Sequence, residues 1–152
     1  MWWNASHLSQ ARLLWGLACA VPAVTEDFRR RQIPNWVCLL VLAGGVALGL
    51  IQHDLPAALM GLLLGLVGPL IFYLAGGLGG GDLKLLGAYG ALLGVKNIGP
   101  ALFLTAVAGA LLALAVCVAT RNRARRVESI YYAPAIAVGT LLVLLANAVE
   151  SL

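Results

Sequence analysis

Charge is scarce in this sequence. Of 152 residues, 11% are Asp, Glu, Lys or Arg and 62% are hydrophobic, whereas a soluble domain carries about 25% charged residues. So few charges cannot cover a water-facing surface, which excludes a soluble domain. Cysteine is scarce too: Cys19, Cys38 and Cys117 lie far apart, each inside an apolar stretch, with no Cys-x-x-Cys pair. That spacing excludes a zinc site and a disulfide framework. Low-complexity tails and long linkers are also missing, so the chain reads as one domain, 1–152. The net charge of +4 does not signal nucleic acid. The basic residues sit in short runs between apolar blocks, as topology signals do.

What the sequence has is apolar runs. Six blocks stand out, at 8–25, 36–51, 55–74, 83–95, 99–119 and 133–151. A helix needs about 20 apolar residues to cross the hydrocarbon core. The expected fold is therefore all-α, a polytopic transmembrane bundle of about six spans whose partner is the lipid bilayer. The fourth block is short enough for a thin span, a tilted half-helix or a re-entrant segment. If all six cross, Arg29–Arg31, Lys84 and the arginines 121, 123, 125 and 126 share one side, while Arg12 and Lys96 share the other. The positive-inside rule makes the first side cytoplasmic. Ala18-Cys19-Ala20 has the small residues of a cleavage site, but no basic segment precedes it, so the first span is expected to be retained. The pairs Gly45/Gly49, Gly61/Gly65 and Gly90/Gly94 have the small-xxx-small spacing of closely packed helices.

The acids are few enough to weigh singly. Asp54, in the turn before Pro56, suits a helix start. Glu128 and Glu150 read as solvated. Asp27 and Asp82 differ. Asp27 closes the first block, and Asp82 opens the fourth directly after a glycine-rich run. The orientation argument puts both on the same side at similar depth. Two nearby carboxylates cannot both ionise easily and share a proton. One can then activate water while the other polarises a peptide carbonyl, as in an aspartic peptidase, with no metal or cofactor. The plain alternative is a flexible turn with Asp82 capping the next helix.

At these residues the chain resembles the type IV prepilin peptidases. Asp27 through Ile33, Pro34 and Asn35 is similar to their Asp-x5-Ile-Pro-Asn element. Gly79-Gly80-Gly81-Asp82 followed by Lys84 is similar to their Gly-x-Gly-Asp element, and Tyr132-Ala133-Pro134-Ala135 to a segment that opens their last helix. The resemblance implies that Asp27, not the adjacent Glu26, and Asp82 are the catalytic pair, supported by Gly79, Gly81, Lys84, Pro34 and Asn35. Pro34 and Asn35 are expected to shape the start of the second helix, with Asn35 capping it. The resemblance implies a hydrolase that cleaves the basic leader of a prepilin or pseudopilin at the cytoplasmic face of the bacterial inner membrane. Without Cys-x-x-Cys pairs the chain is similar to the short form serving Flp-type pili. No N-terminal methyltransferase domain and no methyl donor are expected. Acid and base are not assigned between the two aspartates. Two non-enzymatic alternatives stand beside this reading: a small transporter or channel with Asp82 binding a cation, and a structural subunit of a pilus or secretion machine. Neither requires the Asp-x5-Ile-Pro-Asn spacing.

Overall fold

The computed structural model describes residues 3–30, 32–120 and 132–150. Arg31, Tyr131, Glu128 and the arginines 121–126 lie outside the described residues, as do the expectations attached to them. Six helices account for nearly everything described: α1 (Trp3–Arg30), α2 (Asn35–Ile51), α3 (Leu55–Leu74), α4 (Gly80–Leu93), α5 (Val95–Thr120) and α6 (Ala133–Glu150). Each expected block is a helix. Three of them, α3, α5 and α6, are long and apolar enough on their own to cross a bilayer, and α2 is a shorter apolar helix.

Local chemistry sets the boundaries. Pro34 cannot donate a backbone hydrogen bond, and it occupies the position before α2 with an extended backbone. Asp54 caps α3, its Oδ1 accepting the Ala57 N–H at 3.3 Å, with Pro56 in the first turn. This is the helix start its sequence context implies. Gly76, at φ +77°, ends α3 in a conformation that side chains resist. The sharpest joint is at Gly94, where a single residue with φ +76° and ψ 171° separates α4 from α5. Lys96 and Asn97 therefore belong to the first turn of α5 and not to a loop.

The helices form a closed ring around a centre. In order round the ring, α1 touches α2, α2 touches α3, α3 touches α5, α5 touches α6, and α6 returns to α1; α4 touches all five. Every residue from 85 to 94 is buried. A helix apolar on all faces belongs inside a larger assembly, and α4 is the core of this one. At 14 residues it is about 21 Å long, short of the roughly 30 Å hydrocarbon thickness.

Glycine allows α4 to sit so deep. A Cβ at Gly45 of α2 would lie 2.6 Å from the Leu92 nitrogen, and one at Gly65 of α3 would lie 2.6 Å from the Leu86 oxygen. Gly61 and Gly90 meet backbone to backbone. Outside the ring the surface is apolar as well. Leu63, Val67, Ile71, Phe103, Leu111, Leu114, Leu142 and Val149 are all exposed. An apolar exterior of this extent is a surface for lipid, not water.

Candidate active site

Four helix ends meet at one end of the bundle: the C-terminus of α1 and the N-termini of α2, α4 and α6. Asp27 lies in the last turns of α1, which continues through Arg30. Its neighbour Glu26 turns aside to pair with Arg30 at 3.1 Å, one helical turn on. Asp27 faces inward and is 7% exposed. Its Oδ2 accepts the backbone N–H of Ala133 at 3.2 Å. Ala133 is the first residue of α6, and an amide there has no acceptor within its own helix.

Asp82 lies in the first turn of α4. Its Oδ2 accepts the Gly79 N–H at 3.3 Å, so the capping role offered by the plain alternative is present. That role does not account for its electrostatics. Burial pushes the Asp82 carboxyl up to about 6, and the charge of Asp27 pushes in the same direction, against the Gly79 N–H. Burial also raises Asp27, against the Ala133 N–H. Two carboxylates from helices far apart in sequence thus share one field.

The supporting residues join the two motifs. Ile33 is buried and packs on Gly81, where a Cβ would lie 3.2 Å from the Ile33 Cβ. Lys84 reaches α2, its Nζ donating to Asn35 Oδ1 at 3.3 Å. Residues two apart on a helix face different ways, so Lys84 is directed at Asn35 while Asp82 is directed at Gly79. The expected capping by Asn35 is not found. Pro34 takes the cap position with no side-chain hydrogen bond, which places Asn35 inside the helix and frees its oxygen for Lys84. At Gly79 the need is for space. Its φ of −74° and ψ of 149° suit any residue, but a Cβ would lie 2.8 Å from Asp82 Oδ2.

The bond from the Ala133 amide to Asp27 is the part of the site that reading the side chains missed. Tyr132, in the segment that resembles the opening of the family's last helix, packs its ring on Gly109 of α5, and burial and the charge of Asp82 raise its hydroxyl. The available signal was Pro134, which marks a helix start with unpartnered amides. Among the described residues no group of three or more His, Cys, Asp and Glu could hold a metal. Far from this end, Arg12 of α1 donates to Gln52 at 2.6 Å and ties α1 to the α2–α3 turn.

The chain is 45% identical over 67 residues to the prepilin leader peptidase/N-methyltransferase of Bacillus subtilis (strain 168). That match covers 44% of this chain and 26% of the relative, so the chain spans about a quarter of the relative's length. No solved structure matches. A sequence model of the type IV leader peptidase family matches residues 13–114, a stretch that contains both aspartates and stops short of Tyr132. With two thirds of its length matched to that model, the chain belongs to the type IV leader peptidase family.

Proposed function

We propose that this protein is a membrane-embedded aspartic endopeptidase that removes the basic leader of a Flp-type prepilin or pseudopilin. Cleavage takes place at the cytoplasmic face of the bacterial inner membrane, with the multi-pass bundle holding the apolar stem of the substrate in the bilayer. One observation carries this reading: Asp82 stands in the field of Asp27 at one end of the bundle, and both lie inside the family-matched stretch. The cytoplasmic orientation is supported by charge: among the described residues Arg29, Arg30 and Lys84 lie at that end and Arg12 and Lys96 toward the other.

The chemistry follows from the pair. With one proton between them, one carboxylate takes a proton from water as that water attacks the scissile carbonyl. The other carboxyl donates to the carbonyl oxygen. The proton gained by the base then passes to the leaving amine as the C–N bond breaks. Gly79 keeps clear the space beside Asp82, and the Lys84–Asn35 and Gly81–Ile33 contacts hold α4 against α2.

The reading is tested by leader release. Purified protein in liposomes is mixed with a Flp-type prepilin, and the products are weighed by mass spectrometry. Release at the leader boundary is expected. No release from any of a panel of prepilins co-expressed in membranes would favour the transport or structural alternatives. Gly79→Ala gives a finer check. The added methyl pushes the Asp82 carboxylate off the Gly79 N–H without disturbing a backbone that Ala accepts, and such a displacement costs about a hundredfold in kcat/KM. Gly77→Ala, whose Cβ would be 3.6 Å from the nearest atom, is expected to cleave at the wild-type rate.

A further inference from the structure

The two aspartates are held in different ways. The bond to Asp82 is local: its donor, Gly79, lies three residues back on an exposed turn. The bond to Asp27 spans 106 positions, is buried, and draws on the first amide of an 18-residue helix. A charge-assisted bond is stronger where water does not compete. Ala133 is itself fully buried, so its amide has no recourse to solvent if Asp27 is removed.

We propose that the N-terminus of α6 is a positioning element of this site: the Ala133 N–H fixes the Asp27 carboxylate and holds it as the ionised member of the pair. Asp27 is then the general base and Asp82 the proton-bearing acid. The assignment rests on the peptidase reading above and adds to it which acid does what. Among the described residues, the other charged and titratable groups at this end are Glu26, Arg29 and Arg30 on α1, Cys38 of α2, Tyr73 of α3, which packs at Gly80, Lys84 of α4, and Tyr132 before α6. Glu26 is paired with Arg30 and Lys84 bonds Asn35. Cys38 and Tyr132 both lie in the field of Asp82.

Ala133→Pro tests this. Proline suits the first position of a helix and deletes the N–H, while its ring adds bulk at a fully buried position. Ionisation of Asp27 governs the acidic limb of the pH profile of kcat/KM, and loss of the proton from Asp82 governs the alkaline limb. Ala133→Pro is expected to raise the midpoint of the acidic limb by about one to two pH units and to leave the alkaline limb in place. Ala133→Gly, which keeps the N–H, is expected to keep the wild-type midpoints. An unshifted acidic limb, or a shift of the alkaline limb alone, would overturn the assignment. A second measurement does not depend on that variant folding. In the wild-type protein carrying isotope-labelled aspartate, with the site signals identified from Asp27→Asn and Asp82→Asn, the Asp27 carboxyl is expected to titrate below that of Asp82. The reverse order would overturn the proposal. The titration order is measured without substrate, so failure to cleave any prepilin would defeat the peptidase reading separately.

Discussion

Asp27→Asn and Asp82→Asn are each expected to abolish leader release while the protein still folds and inserts. Each replacement is nearly isosteric but can no longer exchange a proton, so the pair loses either its base or its acid. Removing a proton-transfer partner of this kind costs about ten-thousand-fold in kcat. Asparagine at 27 can still accept the Ala133 N–H through its carbonyl oxygen, and at 82 it can still accept from Gly79. The capping bonds therefore survive, and lost activity is separated from lost structure. Stability is expected to move the other way. A carboxyl raised from its usual value to about 6 holds its proton more tightly folded than unfolded. Its ionisation therefore weakens the fold as pH climbs through that range. Asparagine at 82 removes this loss, so at neutral pH the variant should unfold no earlier than the wild type. Cleavage by either variant in a liposome assay would remove that residue from the reaction.

Gly61→Ala is expected to destabilise the bundle by about 3 kcal/mol, and Gly61→Leu to prevent its assembly. The added Cβ would meet the backbone oxygen of Gly90 and lie 2.9 Å from the Gly94 Cα. Backbone cannot rotate aside as a side chain can, which puts the substitution at the upper end of overpacking costs. It would also displace α4, the helix that carries Asp82. Gly99→Ala is the matched control. Nothing lies within 4 Å of its added Cβ, and alanine favours a helix over glycine by up to about 1 kcal/mol. Unfolding in detergent, followed by circular dichroism, should separate the pair; equal stability would mean that α3 and α4 do not meet at Gly61.

Most of the fold could be read from hydropathy, because each apolar block is a helix. The boundaries could not. The first block stops where charge begins, at Glu26, yet α1 runs on to Arg30, since a helix does not end where apolarity does. Gly94 was readable as half of a packing pair, and only the folded chain makes it the joint between α4 and α5. At the site, the placement of Asp27 and Asp82 on one side of the membrane followed from counting crossings, and the choice of Asp27 over Glu26 from the resemblance to the family motif. The Ala133 amide was not legible in that way. Every residue but proline has a backbone N–H, and which one faces a distant carboxylate depends on where α6 begins relative to α1. Asn35 was misjudged for a related reason. Proline before it takes the cap position, and Lys84, 49 positions away, supplies a partner that local sequence cannot announce.

The enclosure of α4 has a consequence for how its sequence can vary. Between 85 and 94 it presents nothing to lipid, so the oiliness that a bilayer imposes on α3 or α5 is not imposed there. Bulk is imposed instead. Gly87, Ala88, Gly90 and Ala91 are set by the girth that five surrounding helices leave open, and Tyr89, its hydroxyl on the Gly16 carbonyl at 2.9 Å, is the one large ring admitted among them. A scan for greasy stretches therefore underrates the helix at the centre of the bundle, whereas a scan for narrow ones picks it out.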